Sequence, residues 1–543
     1  MADVNEAIAN DVADLARMAQ FDQAGAIRTA GQLRARGARQ PLVHHLVALG
    51  LKEQSLFEEA IKELGLGLEI EPNNPRLMTE IGFCLLELGR RQEAARVLEV
   101  ALRVDPRSAD TNFAYGWAAQ RLGALDAAET SLQRAITFDP HHAHALAGLS
   151  GLAVRRREWA SAEAYANRAL AADPTQTDAL MNLARAEIGR DNFEAAAKRL
   201  GKTIGLPFLK PEARGNAKLM LGDALDGLKR FQAAYRAYAD GKADLRAQFA
   251  HVYEAPGMRS MVDGVFDILA EFERAGDAWS SKPALPPESE ARGHVFLVGF
   301  PRSGTTLLEQ VLASHPEVVS LEERPTLIDA EEEFLTRAGG VLRLADTSSE
   351  ALAPFRKAYW RRVREFGIDP TGKVFVDKHP LSTMRLPLIW KVFPTAKIIF
   401  ALRDPRDAVF SSFRRSFGMN VAMFQFHSIK SATALYDAIM TAGEAYLLHL
   451  PIEAHKTRYE DLVANFDVEG QRVCEFLGLE WTEALRDFAA TAQSRRIATP
   501  SSTQVGRGLY TEGVGHWRNY AFALEPVLPI LRPWIEKFGY DPD

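Results

Sequence analysis

Four prolines recur in the first third of the chain at one fixed spacing of 34 residues: Pro72, Pro106, Pro140 and Pro174. Small residues recur with the same period, in two registers: Gly82 and Gly116, and Ala94, Ala128, Ala162 and Ala196. A proline ends a helix, and a small side chain allows two antiparallel helices to pack closely. The period therefore predicts helix pairs that stack on one another, because a single pair cannot bury its apolar face alone.

The spacing of 34 residues is that of tetratricopeptide repeats. Ala60 and Ala26 extend the register toward the N-terminus, and Gly222 and Ala234 continue it in a weaker pair. We therefore predict an α-solenoid of tetratricopeptide repeats over residues 1–248. Such solenoids form concave binding surfaces, which favours a platform for a protein or peptide partner. The alternative is a wall that only stabilises the neighbouring domain.

Composition limits the class of the protein. The chain has 543 residues, 47% of them hydrophobic and 25% charged, which indicates soluble globular protein with more than one core. The net charge of −6 gives no general argument for nucleic acid binding. Cys84 and Cys474 form no CxxC pair, so we expect neither a disulfide framework nor a structural zinc site. The acidic N-terminal residues and the lack of a long apolar run lead us to expect a cytoplasmic protein without a membrane span.

The chain changes character before residue 294. We predict a helical connector and linker over residues 249–293, because its second half is rich in proline, serine and charge. From residue 294 onward, the short apolar runs VFLVGF, KVFVDK and KIIFAL alternate with helical patterns. Strands that alternate with helices indicate a parallel sheet built of βαβ units. The sequence thus predicts a second domain over residues 294–543, an α/β fold of three layers with a central parallel sheet.

The first motif with chemical content is GFPRSGTT, which is nearly the phosphate-binding P-loop GxxxxGK[ST] but has Thr305 in place of the lysine. Gly299 and Gly304 permit a tight turn. Ser303, Thr305 and Thr306 place amides and hydroxyls at the start of a helix, where anions bind. We therefore expect a ligand with phosphate oxygens at this turn. A plain turn between a strand and a helix is the alternative.

The second motif is RDPRDAVFSSFRR. Arg403 ends a predicted strand, and Ser411 and Arg415 are four residues apart, which would place them on one face of a helix. Two guanidinium groups and a hydroxyl would then bind a second phosphate. The alternative is a helix-capping cluster in which Asp404 and Asp407 pair with the arginines. The two motifs together indicate a ligand with phosphates at both ends.

PRSGTT and RDPRDAVFSSFRR resemble two motifs of the sulfotransferases that use 3′-phosphoadenosine 5′-phosphosulfate, in particular the protein-tyrosine sulfotransferases. The first resembles their 5′-phosphosulfate loop, the second their 3′-phosphate motif, and the resemblance covers about residues 294–520. It implies a P-loop-like α/β domain, this nucleotide as the donor substrate, and no metal. A sulfuryl group carries one negative charge fewer than a phosphoryl group, which accounts for a threonine in place of the P-loop lysine. Repeats followed by such a domain resemble a bacterial group with the same layout.

The acceptor oxygen must lose a proton as it attacks sulfur, so a base is expected shortly after the loop, where EVVSLEERPTL offers Glu322 and Glu323. The resemblance implies that Glu323, 21 residues after Arg302, is this base. It also implies that Arg302 and Lys378 stabilise the sulfuryl and bridging oxygens, with Ser501 assisting. The alternatives are two solvated glutamates at a helix cap and an ordinary surface lysine.

The resemblance further implies a set of donor-binding residues: Arg302, Ser303, Gly304, Thr305, Thr306, Arg403, Ser411, Arg415, Tyr459, Gln504, Val505, Gly506, Arg507 and His516. Two places depart from the family. Pro325 stands at the position, two residues after the base, where the family has an arginine that contacts acidic peptides, and Arg324 lies one residue earlier, so a preference for acidic acceptors is not implied. His516 replaces a lysine before Trp517, which makes this nucleotide contact weaker or sensitive to pH. His379 is interpreted as structural.

These features predict a sulfotransferase that acts on a hydroxyl, in the first place that of a tyrosine in a protein or peptide delivered by the solenoid. One alternative keeps the chemistry but uses a carbohydrate, a lipid or a small molecule as the acceptor. A second is a non-catalytic repeat adaptor with a nucleotide-sensing domain. A third, a kinase-like P-loop enzyme, is disfavoured by the missing loop lysine.

Overall fold

The computed structural model describes residues 2–280, 290–489 and 513–543, with side chains from residue 11 onward. The chain forms two compact units, Met1–Phe208 and Leu209–Asp543. The first unit consists of consecutive helices, α1 to α12: Ala2–Phe21, Gln23–Ala35, Pro41–Glu53, Phe57–Ile70, Pro75–Glu87, Arg91–Val104, Ala109–Leu122, Leu125–Phe138, Ala143–Arg156, Trp159–Ala172, Thr177–Gly189 and Phe193–Ile204.

The helix pairs of the first unit follow the period of the sequence. Each of the four periodic prolines lies two residues after the end of a helix, in the connection to the next pair. Gly82 in α5 faces Leu98 in α6, where an added Cβ would lie 2.6 Å from the leucine side chain. In the same way, a Cβ added at Gly116 in α7 would lie 2.9 Å from the side chain of Leu132 in α8. The predicted α-solenoid with close helix contacts is therefore confirmed.

The predicted C-terminal limit of the solenoid differs from the boundary between the two compact units. The division falls between Phe208 and Leu209, which does not coincide with the predicted limit of the solenoid at residue 248. The weaker repeat forms α13 (Pro211–Gly227) and α14 (Phe231–Tyr253), and both helices lie in the second unit. A side chain at Gly222 would clash with the ring of Tyr238, so this pair packs as closely as the repeats do.

The second unit continues with five strands that alternate with helices. The strands are β1 Gly293–Gly299, β2 Val318–Glu322, β3 Val374–Lys378, β4 Lys397–Leu402 and β5 Ala454–Arg458. The helices α15 to α25 are Met261–Ala275, Thr305–Ala313, Ile328–Phe334, Gly340–Asp346, Ala353–Glu365, Leu386–Val392, Pro405–Arg414, Val421–Phe424, Ile429–His449, Tyr459–Ala464 and Phe466–Leu477. Two short helices, Ala521–Leu524 and Leu528–Lys537, follow near the C-terminus.

The strands form one parallel sheet in the order β2-β3-β1-β4-β5. The chain leaves β1 through α16 toward β2 on one side, and leaves β4 through α21 toward β5 on the other. In an open parallel sheet, a crevice opens at the carboxyl ends of two neighbouring strands whose connections diverge in this way. The predicted α/β domain is confirmed, and its crevice lies at the ends of β1 and β4.

Both faces of the sheet are covered, which explains the continuous apolar runs of its strands. Phe296, Phe375 and Phe400 pack on one face in a cluster that includes residues of α20 and α23. Val376 and Ile399 pack on the opposite face against α16 and α25. The result is the three-layer arrangement that the sequence predicts.

Two further observations concern the described parts of the chain. Cys84 and Cys474 are free and buried, and burial raises the pKa of both thiols to about 11. None of the described helices combines the length and the apolar composition that a bilayer-spanning segment needs.

A buried histidine of β1 makes stability depend on pH. Nε2 of His294 lies 2.8 Å from the hydroxyl of Tyr359, and burial lowers the pKa of His294 from 6.5 to about 3. Between these values the unfolded chain binds a proton that the folded chain does not, so stability falls as pH falls from 6.5 toward 3. Burial also raises the pKa of Asp377 from 3.8 to about 6. Between these values the folded chain binds a proton that the unfolded chain does not, so the contribution of Asp377 to stability increases as pH falls.

We expect His294→Gln, which keeps a donor toward Tyr359, to flatten this dependence. Urea unfolding between pH 4 and 6.5 should give a free energy of unfolding that rises with pH more steeply in the natural protein. The difference in slope should approach about 1.4 kcal/mol per pH unit. Parallel curves for the two proteins would show that His294 does not remain neutral in the folded state.

Candidate active site

The turn between β1 and α16 has a backbone that only glycine permits at two positions. A side chain at Gly299 would clash with the carbonyl oxygen of Ala401 on the neighbouring strand. Gly304 has a φ of 85°, and an added Cβ there would lie 2.6 Å from the ring of Tyr459. The helix begins at Thr305, so its first amides have no carbonyl partner within the helix. This turn, residues 300–304, is called the donor loop below.

Two predicted catalytic residues have strained backbones. Arg302 has a φ of 70° and Glu323 a φ of 46°, and they are the only non-glycine residues with positive φ among the described residues after 290. Such conformations cost about 1–3 kcal/mol and persist where the surrounding structure enforces them, most often at functional sites. The surrounding structure therefore holds these two residues in backbone conformations that an ordinary turn does not require.

Lys378 is the centre of a buried charge cluster at the carboxyl ends of β2 and β3. Its Nζ lies 2.6 Å from Glu323 Oε1, 3.4 Å from Glu322 Oε1 and 3.6 Å from Glu309 Oε2. Glu322 and Lys378 are paired across the two strands, which explains their proximity. Burial alone would lower the pKa of Lys378, but the three carboxylates outweigh it and raise the pKa above the usual lysine value. Lys378 is therefore a permanent cation, not an ordinary surface lysine.

Glu309 was not predicted as a site residue. It lies on α16, directly after the donor loop, and its side chain is fully buried. Ser320 donates a hydrogen bond of 2.8 Å to Glu309 Oε1, which fixes the carboxylate beside Lys378. The signal in the sequence is a single acidic residue within the mostly apolar stretch LLEQVL.

The second motif lies against the donor loop. Arg403 donates from Nη1 to the carbonyl oxygen of Arg302 at 2.9 Å, and its guanidinium lies 4.9 Å from the ring centroid of Tyr459. Arg302 donates from Nε to Ser411 Oγ at 3.1 Å. Arg302, Arg403, Tyr459 and Glu323 line one cavity of about 400 Å³, together with Gly304, Thr305 and Thr306.

Part of the second motif is structural. Asp404 caps α21 by accepting from the amide of Arg406 at 2.9 Å, and it pairs with the Arg406 guanidinium at 2.8 Å. Asp407 accepts from the amides of Gly515 and Trp517 at 2.7 and 2.8 Å, which fastens the C-terminal segment. The helix-capping alternative therefore describes these two aspartates and Arg406, and in part Arg403, which pairs with Asp407 at 3.9 Å and also lines the cavity.

Arg415 and His516 lie elsewhere. The expectation that Ser411 and Arg415 share one helix face is wrong, because α21 ends at Arg414 and the backbone of Arg415 is extended. The guanidinium of Arg415 pairs with Asp223 on α13 at 3.2 Å. His516 Nε2 lies 3.2 Å from Asp226, also on α13. Neither residue lines the cavity of the donor loop, and their roles in donor binding stay predictions.

Five predicted residues lie outside the described parts of the chain: Ser501, Gln504, Val505, Gly506 and Arg507. Within the described parts, two ionisable residues that line the cavity were not predicted to be functional. His379 has a pKa well below the usual value because of burial and of the cations Arg385 and Lys378, so it is neutral. Arg385 lines the cavity while it pairs with Glu331 at 2.9 Å.

The remaining wall of the cavity is largely apolar. It includes Leu381 and a short stretch after α21: Phe417, Asn420, Val421, Ala422 and Met423. The cavity therefore combines cations that follow β1, β3 and β4 and a carboxylate that follows β2 with an apolar surface. This arrangement can hold an anionic donor beside a largely apolar acceptor.

Comparison with protein families finds a match in each of the two parts of the chain. Residues 294–483 match the model of the Sulfotransferase family. Tetratricopeptide repeat models match residues 51–111, 85–143, 113–177 and 149–204.

Individual relatives are similar at modest identity. An uncharacterized protein of Aquifex aeolicus is 24% identical over 63% of this chain and 44% of its own length, so the chain spans less than half of that protein. Protein-tyrosine sulfotransferase 1 of Danio rerio is 25% identical over 46% of this chain and 72% of its own length. A putative protein-tyrosine sulfotransferase of Caenorhabditis briggsae is 26% identical over 46% of this chain and 89% of its own.

Among solved structures, the sulfotransferase domain of the Synechococcus PCC 7002 olefin synthase is 22% identical, with a TM-score of 0.34. It covers 48% of this chain and 99% of that chain. The type IV pilus biogenesis factor PilW is 20% identical over 40% of this chain and 94% of its own, with a TM-score of 0.33.

Proposed function

We propose that this chain, which carries a sulfotransferase-family domain after its tetratricopeptide repeats, transfers the sulfuryl group of 3′-phosphoadenosine 5′-phosphosulfate to a tyrosine hydroxyl of a protein or peptide. One observation carries the proposal: Lys378 Nζ lies 2.6 Å from Glu323 Oε1 beside a cavity that Arg302 and Arg403 also line. An anionic donor and a hydroxyl acceptor both need this combination of cations and a carboxylate.

The residues of the cavity fit the donor nucleotide. The donor loop offers the amides at the start of α16, the hydroxyls of Thr305 and Thr306, and the Arg302 guanidinium to the 5′-phosphosulfate. Arg403, with Ser411 hydrogen-bonded to Arg302, is the proposed contact of the 3′-phosphate. Gly304 adopts the positive φ that this turn needs, and its missing side chain leaves room for the ring of Tyr459, a further proposed contact of the donor. When bound, the nucleotide supplies a sulfuryl group whose bond to the 5′-phosphate oxygen breaks during transfer.

Glu323 accepts the proton of the acceptor hydroxyl as its oxygen bonds to sulfur. Its side chain is 39% exposed, so an acceptor can reach it, whereas Lys378 is fully buried. Lys378, whose Nζ lies 2.6 Å from Glu323 Oε1, supplies the positive charge that stabilises the bridging oxygen as that oxygen takes the electron pair. Glu309 Oε2 lies 3.6 Å from Lys378 Nζ in the interior, where a buried cation needs a carboxylate partner.

Two observations support a tyrosine as the acceptor. The relatives from Danio rerio and Caenorhabditis briggsae are named as protein-tyrosine sulfotransferases. The apolar wall with Leu381, Phe417 and Val421 suits an aromatic ring. The repeats are the proposed binding platform for the protein that carries this tyrosine. A cytoplasmic location remains part of the proposal.

The test is an acceptor screen with radiolabelled donor and the full chain. We expect label on peptides that contain tyrosine and none on the same peptides with phenylalanine. If only carbohydrates, lipids or small phenols are labelled, the acceptor is one of those classes and not a tyrosine of a protein or peptide. Donor binding without transfer to any acceptor class would favour the non-catalytic adaptor and contradict the proposal.

A further inference from the structure

The cavity has a wall that belongs neither to the sheet nor to the donor loop. The segment of residues 415–424 follows α21 and contributes Phe417, Asn420, Val421, Ala422 and Met423 to the cavity. We call this segment the acceptor wall. Residues 415–420 are neither helix nor strand, so contacts with other elements must set their conformation.

The first half of the acceptor wall is bonded to the helix pair α13–α14. Lys242 of α14 donates from Nζ to the carbonyl oxygen of Arg415 at 2.6 Å. Ser416 donates from its hydroxyl to Asn216 Oδ1 of α13 at 2.8 Å. Arg415 itself pairs with Asp223 of α13 at 3.2 Å. Both helices of the pair thus hold consecutive residues at the start of the wall.

The second half of the wall packs on the end of α14. The ring of Tyr253 lies 5.1 Å from that of Phe424, and the Arg246 guanidinium lies 5.8 Å from the same ring. Phe424 is buried, and it ends α22, the short helix that carries Val421, Ala422 and Met423 into the cavity. An aromatic pair of this kind contributes about 0.5–1.5 kcal/mol beyond area burial.

A second, smaller cavity of about 90 Å³ lies between the helix pair and the wall. It is lined by Lys242, Leu245 and Phe249 of α14 and shares Phe417 and Met423 with the larger cavity. These two side chains therefore face the helix pair and the catalytic cavity at once. They are a further connection between the helix pair and the acceptor surface, beside the bonds at Arg415 and Ser416 and the ring contact at Phe424.

We infer that the helix pair α13–α14 builds the acceptor side of the catalytic cavity, with Asn216, Lys242 and Tyr253 as positioning residues for the acceptor. The inference rests on the proposed function. Asn216 and Tyr253 contact the wall at Ser416 and Phe424 and contribute no reacting group, so the effect of replacing them falls on acceptor affinity rather than on donor binding or proton transfer. A helix pair that continues the register of the repeats is in this way a structural part of the catalytic unit.

The test compares Tyr253→Ala and Asn216→Ala with a matched control, Val252→Ala. Val252 is the neighbour of Tyr253 on α14 and is 40% exposed. Lys242 is left intact, because it is bonded to Arg415, a predicted ligand of the 3′-phosphate. We expect the KM for a tyrosine peptide to rise about tenfold in Tyr253→Ala and several-fold in Asn216→Ala. The kcat at saturating peptide and the Kd for 3′,5′-adenosine bisphosphate should stay within about twofold of the natural values.

Tyr253→Phe keeps the ring and should restore the natural KM. Unchanged KM values in both test variants would overturn the inference, as would a loss of nucleotide affinity that parallels the rise in KM. If Tyr253→Ala does not fold, Asn216→Ala decides by the same comparison, since it removes a single hydrogen bond. A natural protein that transfers label to no acceptor would instead contradict the proposed function.

Discussion

Glu323→Gln lowers turnover by about 10²–10⁴-fold and leaves the affinity for 3′,5′-adenosine bisphosphate within about twofold. The glutamine is isosteric but cannot accept the proton of the acceptor hydroxyl. The expectation depends on position: Glu323 lines the cavity, has a strained backbone with a φ of 46°, and lies 2.6 Å from Lys378. Steady-state kinetics and calorimetry on the same preparation provide the two readouts.

Glu322→Gln is the matched control for this variant. Glu322 is adjacent in sequence and also pairs with Lys378, at 3.4 Å, but its side chain is only 17% exposed and does not line the cavity. We expect its turnover to fall far less than that of Glu323→Gln. Near-natural turnover in Glu323→Gln, or an equal loss in both variants, would remove Glu323 as the base.

Lys378→Met has the second large effect, and it acts on both activity and stability. Loss of a cation that stabilises charge on the leaving oxygen lowers kcat by about 10²–10³-fold. The same change removes the ammonium that faces the buried Glu309 carboxylate at 3.6 Å. Removal of one partner of a buried ion pair destabilises a protein by about 3–5 kcal/mol, which urea unfolding would measure.

A double variant separates the two effects of Lys378. In Lys378→Met with Glu309→Gln, the buried charge is gone and the glutamine can still accept from Ser320. We expect this variant to regain most of the lost stability and none of the lost turnover. Recovery of turnover together with stability would mean that Lys378 acts only in folding.

Periodic features were predictable from the sequence, because the same residue types end the helices and allow close helix contacts in each repeat. The prolines and small residues of the repeats define where helices end and where they touch, and the structure places them there. The apolar runs of β1, β3 and β4 identify strands that are buried on both faces. β2 and β5 were not predicted as strands; β5, with the sequence AHKTR, is a partly exposed edge strand whose polar residues give no apolar signal.

Features that depend on tertiary packing were not predictable. The end of α21 at Arg414 is marked by neither proline nor glycine, so the position of Arg415 beyond the helix was missed. Glu309 is one acidic residue in a mostly apolar stretch of helix, and the sequence does not show that it lies close to Lys378. The assignment of α13–α14 to the second unit accords with contacts to residues far away in sequence, such as Arg415, Ser416 and Tyr520.

The central claim is that one cavity binds an adenosine nucleotide with anionic groups at both its 3′ and 5′ ends. Calorimetry of the full chain with 3′,5′-adenosine bisphosphate and with ATP, without added metal, tests it most directly. We expect 3′,5′-adenosine bisphosphate to bind at least tenfold more tightly than ATP, and Arg403→Gln to abolish most of this preference, because charge-assisted bonds to the 3′-phosphate are lost. Equal or tighter binding of ATP, or a preference that Arg403→Gln leaves intact, would contradict the account.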